Sequence, residues 1–119
     1  MFFNQRYVEG LSIMSYLVGD KKTGEGAVID PTRDVDYYID LANRNKLKIT
    51  HILETHVHAD FVSGAVELKD RLGGKPTIVC SGEGGKDWTP PYADRVVSDG
   101  DRVQLGSIRL QALHTPGHT

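Results

Sequence analysis

Apolar and polar positions change their period along the chain, and each change marks an element. Phe2 to Val8 and Ser12 to Val18 are rich in aromatic and β-branched residues, and Gly26 to Ile29 resumes an apolar run after the polar segment Gly19-Asp20-Lys21-Lys22-Thr23-Gly24. These stretches predict an antiparallel meander of three strands. Asp30-Pro31 ends the third strand, because proline lacks a donor and biases its predecessor away from helix. The period then lengthens. Val35, Tyr38, Ile39 and Ala42 fall on one stripe at helical spacing, with Asp34 as the expected N-cap and the end near Asn45. Lys48 to Glu54 reads as a strand with apolar groups on both parities, Ile49 and Leu53 on one side and Ile52 on the other, so both its faces should be covered.

A second helix is predicted from a Ser63 cap through Leu72, with Val62, Ala65, Val66, Leu68 and Leu72 apolar and Gly73-Gly74 as its terminator. Thr77 to Cys80 is a short strand. Arg102 to Leu105 and Ser107 to His114 alternate as two strands joined tightly at Gly106. Between them, Ser81 to Gly100 lacks periodicity and contains Trp88, Pro90, Pro91 and Tyr92. It is expected to be a long loop that carries function or interaction surface.

Chemistry concentrates in Thr55-His56-Val57-His58-Ala59-Asp60-Phe61, at the carboxyl end of the Lys48 to Glu54 strand, where α/β sheets place their sites. In an extended segment, side chains two residues apart point to the same side, so His56 and His58 can converge on one ion with Asp60 next in the same parity. Neutral imidazoles suit zinc, iron, nickel or copper. A second loop, Thr115-Pro116-Gly117-His118-Thr119, brings another imidazole, and Gly117 lets the backbone fold closely beside an ion. His56, His58 and His118 are therefore the candidate metal ligands. Three imidazoles leave coordination positions open, as in a catalytic rather than a closed structural site. Asp60 has three candidate roles: ligand, acceptor of a proton from bound water, or hydrogen-bond partner of a ligand imidazole, the last two being favoured. His51 and His114 have no partner in register and read as structural. Asp30 either buttresses the metal loop from a neighbouring strand end or caps a turn.

Composition narrows the picture. A chain of 119 residues accommodates one domain, and the net charge of -2, with acidic and basic residues interspersed, offers no basic stripe for nucleic acid. No apolar run approaches the roughly 20 residues that span a bilayer, so no membrane partner is expected. Met1-Phe2-Phe3-Asn4-Gln5-Arg6 lacks the order of a signal peptide, and a cytoplasmic location follows by default. The single cysteine, Cys80, reads as a small buried hydrophobe at a strand end.

The motif His56-x-His58-x-Asp60, the β-rich start and Thr115-Pro116-Gly117-His118-Thr119 resemble the metallo-β-lactamase superfamily, whose domains are four-layer αββα sandwiches. The resemblance is to the amino-terminal part of that α/β fold. Within the superfamily, Glu54-Thr55-His56-Val57-His58-Ala59-Asp60-Phe61-Val62-Ser63-Gly64, with Ser15-Tyr16-Leu17 and Val28-Ile29-Asp30-Pro31-Thr32-Arg33-Asp34-Val35-Asp36, looks like the persulfide dioxygenase branch, especially bacterial members with rhodanese domains further along the chain. Superfamily members that bind two metals usually carry His after the motif's Asp. Here that position is Phe61, which supplies no ligand, so a mononuclear centre is expected.

The resemblance implies an Fe(II) dioxygenase that takes a low-molecular-weight thiol persulfide, such as glutathione persulfide, and dioxygen as substrates. His56 and His118 match the two iron histidines, His58 a nearby His and Asp60 the motif carboxylate, while the family's remaining iron-binding Asp is expected beyond Thr119. The alternatives are a zinc-dependent thioester hydrolase of the glyoxalase II type, or a catalytically idle interaction module. An amino-terminal portion standing alone should expose a sheet face, which would favour a homodimer.

Overall fold

The computed structural model describes residues 2–8, 13–54, 64–81, 93–97 and 101–111. Six strands form one mixed sheet in the order β1 (Phe2–Val8), β2 (Ile13–Asp20), β3 (Glu25–Ile29), β4 (Lys48–Glu54), β5 (Thr77–Ser81) and β6 (Arg95–Val97). The first three pair antiparallel, as the predicted meander requires, with Tyr16 opposite Gln5 on one side and Ile29 on the other. From β3 onward every pairing is parallel. Parallel neighbours need a crossover, and the chain supplies helices α1 (Asp36–Arg44) between β3 and β4 and α2 (Ala65–Arg71) between β4 and β5. β7 (Arg102–Leu105) and β8 (Ile108–Gln111) make a separate antiparallel hairpin.

Strand alternation divides the core in two. Leu17, Val28, Ile52, Ile78 and Cys80 meet Tyr38 and Ala42 of α1 and Ala65 and Leu68 of α2. Their sequence neighbours Val18, Ala27 and Val79 point the other way and meet Leu105 and Val103 of the β7–β8 hairpin. One helical layer and two β layers result, and the chain is α/β as its sequence predicts. No helix among the described residues is long and apolar enough to cross a membrane.

Four details depart from the sequence pattern. Ile49 and Leu53 lie on opposite faces, because β4 carries a bulge: Gly26 pairs with Ile49 but Ala27 pairs with His51, leaving Thr50 as the extra residue. The bulge turns Ile49 to the helical side with Ile52, while Leu53 faces the hairpin. Val66 is 50% exposed, since the short α2 buries only Ala65 and Leu68. Asp34 does not cap α1; Val35 occupies the N-cap position, and the Asp34 carboxylate pairs with Arg6 instead. Within the expected 81–100 loop, Arg95–Val97 is a strand, too short for periodicity to reveal and with Val97 alone buried.

The hairpin is fastened to the main sheet by Asp20. Its carboxylate accepts the Ser107 N–H at 2.7 Å, the Ser107 hydroxyl and the Lys22 N–H at 2.9 Å. These bonds, the Ser107 hydroxyl first, hold the Asp20 carboxyl down at about 2. Gly106, at φ 58°, seats the hairpin turn against this corner: a Cβ there would lie 2.1 Å from Thr23 Oγ1.

Candidate metal centre

Because β3 to β6 run parallel, their carboxyl ends share one edge of the sheet, with Ile29 beside Leu53, Glu54 beside Cys80 and Ser81 beside Val97. Glu54 and Cys80 are buried there on the helical side, and the Cys80 thiol donates to Glu54 Oε2 at 3.7 Å. Burial, reinforced by the carboxyl groups of Glu54, Asp30 and Asp94, pushes the thiol up to about 12. Cys80 is thus a protonated core residue, as its sequence setting suggests. Asp30 and Glu54 are both buried at this edge.

Asp30 begins the turn that follows β3. It adopts φ 52°, a left-handed conformation that Asp tolerates better than most residues, and its N–H donates to the Leu53 carbonyl at 2.8 Å. The next residue, Pro31, accepts the Gly64 N–H at 2.9 Å. Gly64 has no room for a side chain: a Cβ would come within 2.0 Å of the Thr32 carbonyl oxygen. Thr32 is held in turn by the fully buried Tyr38. The Thr32 N–H donates to Tyr38 Oη at 3.0 Å, and Ser15 Oγ lies 2.8 Å from the same oxygen. At the surface of this cluster, Arg6 pairs with Asp34 and stacks over the Tyr37 ring at 4.0 Å. Its hydrogen bond holds the Asp34 carboxyl below the ordinary carboxylate range.

The candidate ligands His56, His58 and His118, and Asp60 with them, lie outside the described residues, as do Phe61, Ser63, His114 and the Trp88–Tyr92 stretch. Among the described residues no group of three His, Cys, Asp or Glu side chains gathers to hold a metal. His51 stands in β4, half-buried, with Nδ1 2.9 Å from Thr50 Oγ1, and desolvation lowers its pKa. The structure instead brings together Asp30, Thr32, Tyr38, Glu54 and Gly64, of which the sequence marks only Asp30 as a candidate. Thr32, Glu54 and Gly64 stand in the stretches that carry the family resemblance, but their assembly is tertiary: strand order and the α1 crossover put them at one edge.

The family profile of the metallo-beta-lactamase superfamily matches residues 8–119. The chain belongs to that superfamily. A solved metallo-beta-lactamase from Staphylococcus aureus superposes with a TM-score of 0.88 at 43% identity, covering 100% of this chain and 36% of the other. Hydroxyacylglutathione hydrolase of Rhodospirillum rubrum is 38% identical over 87% of this chain and 39% of its own length. Bovine mitochondrial persulfide dioxygenase ETHE1 is 31% identical over 88% of this chain, again 39% of its own length. The chain thus spans about two-fifths of these curated relatives. The superfamily fold accounts for the sheet order and for the parallel-strand edge where the His56-x-His58-x-Asp60 motif leaves β4. Relatives of both chemistries are similar to the chain, so likeness alone leaves the reaction open.

Proposed function

We propose that this chain forms the amino-terminal part of a mononuclear non-haem iron dioxygenase that oxidises a low-molecular-weight thiol persulfide to the thiol and sulfite. The observation that carries the reading is Phe61: a hydrocarbon ring follows Asp60 where two-metal members of the superfamily place a ligand imidazole. The similarity to bovine persulfide dioxygenase ETHE1 supports it.

On this reading His56, His58 and His118 hold the ion. Their imidazoles suit iron or zinc, and Asp30 and Glu54 are buried at the carboxyl ends of β3 and β4, just before the motif in the chain. Bound iron(II) would supply the open positions at which substrate sulfur and dioxygen are brought together. Asp60 orients a ligand imidazole by hydrogen bonding or takes up a proton. Phe61 keeps a second ion out, and Asp30 and Pro31 hydrogen-bond Leu53 and Gly64, described residues on either side of the motif segment. Overall, one persulfide, one dioxygen and one water give one thiol and one sulfite; the terminal sulfur loses four electrons and dioxygen gains them.

The second reading, zinc-dependent hydrolysis of an S-acylglutathione thioester, is favoured by the 38% identity to the Rhodospirillum rubrum hydrolase. Anaerobic metal analysis followed by assays with glutathione persulfide and with a glutathione thioester separates the two. About one iron per chain with oxygen uptake and sulfite release supports the dioxygenase. Zinc with thioester cleavage and no oxygen uptake overturns it, and loss of the metal in His56→Ala and His118→Ala checks the ligands under either chemistry.

A further inference from the structure

The two ends of the six-stranded sheet are built differently. β6 has three residues and starts at the exposed Arg95, and both features discourage an edge from pairing with another chain. β1 has neither protection. It runs seven residues in unbroken register with β2 and contains no Lys, Asp, Glu or Pro. Among the described residues its one strand partner is β2, so its outer side offers backbone donors and acceptors to a further strand.

The side chains of β1 favour the same partner. Phe3, Gln5 and Tyr7 share the face of the sheet that carries the hairpin, Phe3 standing opposite Val18, which meets Leu105. The hairpin does not cover them: Phe3 and Tyr7 are each 56% exposed, with Gln5 exposed between them. The strand's one charge is neutralised on the other face, where Arg6 pairs with Asp34 and stacks over Tyr37. A long edge with exposed rings and no free charge suits another uncharged strand.

The order of residues says which strand. Phe3 and Tyr7 are placed symmetrically about Gln5, and so are Asn4 and Arg6. When two copies of β1 pair antiparallel about a two-fold axis at Gln5, Phe3 of each meets Tyr7 of the other, Gln5 meets Gln5, and Arg6 meets Asn4 with no like charges opposed. Residues that meet share parity, so the outward donors of one copy face the outward acceptors of the other. We infer that the chain self-associates through β1 as a two-fold dimer, joining the two six-stranded sheets into one. An aromatic side chain carries roughly 200 Å², so Phe3 and Tyr7 of two copies offer on the order of 450 Å² of ring surface. With the strand edges added, the contact falls near the lower bound of about 1,200 Å² for stable complexes, which makes the dimer reversible.

The test is sedimentation velocity of the whole chain over a concentration series, with Phe3→Lys, Tyr7→Lys and the control Val66→Lys. Val66 is 50% exposed on α2, so all three changes fall at exposed positions where the fold tolerates them. Wild type and Val66→Lys should dimerise alike, while either β1 variant should raise the dissociation constant at least about tenfold. A short bismaleimide reads the register, the native Cys80 being buried and protected from it. Gln5→Cys should cross-link to a dimer. Phe3→Cys, about 14 Å from its own copy, should cross-link only when mixed with Tyr7→Cys. A chain that stays monomeric at its highest soluble concentration overturns the inference. So does a dimer or larger assembly that is unmoved by both lysines or fails to cross-link through Gln5→Cys.

Discussion

The Ser15–Tyr38–Thr32 cluster predicts a specific non-additivity in stability. Tyr38→Phe removes one oxygen and leaves the ring, so no cavity forms. What it leaves behind are two buried groups, the Ser15 hydroxyl and the Thr32 N–H, which lose their partner at 2.8 and 3.0 Å. Stranding a buried donor or acceptor costs about 1–3 kcal/mol, so the variant, which strands two, should lose about 2–6 kcal/mol. Ser15→Ala in the wild-type background is milder. Tyr38 Oη keeps the Thr32 N–H and still has Thr32 Oγ1 at 3.1 Å, so about 0.5–1.5 kcal/mol is expected. In the Tyr38→Phe background the same Ser15→Ala change removes a hydroxyl already stranded and should cost nothing or restore about 1 kcal/mol. The double-mutant cycle should therefore return a coupling of about 0.5–2.5 kcal/mol. Urea unfolding with a constant slope across the four proteins is the assay. Additivity within about 0.5 kcal/mol would refute the account, since it would mean that the two hydroxyls do not satisfy one another.

The Asp20 corner should make stability depend on acid. Its folded carboxyl sits at about 2, below the unfolded value, so the stabilisation is complete above the unfolded carboxyl range and is lost as pH falls through about 2. Asp20→Asn should flatten that part of an acid-unfolding profile; an unchanged profile would count against the corner. The Cys80 thiol, buried and raised to about 12, should resist alkylation at pH 8 until the protein unfolds, and rapid labelling of the native chain would contradict its burial beside Glu54. Ile52 is fully buried beneath the helices, so Ile52→Ala should cost about 2–5 kcal/mol in the same unfolding assay. Val66→Ala, at a half-exposed position, should stay within about 0.5 kcal/mol.

Much of the fold was legible because local chemistry and tertiary packing agree. The aromatic and β-branched content of Phe2–Val8 and the apolar groups on both parities of Lys48–Glu54 gave strands with the observed bounds, and Gly73-Gly74, both at φ 75°, end α2 where the sequence places a stop. Thr50 shows the limit of that agreement. A bulge inserts one residue without altering the apolar pattern, so parity assigned Ile49 to the face of Leu53 while the pairing with β3 put it on the other. Arg95–Val97 escaped for a different reason: three residues do not complete a period, and only pairing with β5 makes them a strand.

By itself the sequence determined the chemistry on offer: imidazoles at positions 56, 58 and 118, a carboxylate at 60, and a hydrocarbon ring at 61 where a further ligand would stand. Residue type and short-range spacing are local properties, and metal-ligand chemistry is written in them. Only the tertiary structure decided which residues surround that motif's entry and exit. Asp30, Thr32, Tyr38, Glu54 and Gly64 meet because parallel pairing aligns the strand ends and the α1 crossover returns Tyr38 beneath the turn after β3. Hydrogen bonds from Asp30 to Leu53, from Gly64 to Pro31 and between Tyr38 and Ser15 join segments distant in the chain, a relation that no local pattern of apolar and polar residues encodes.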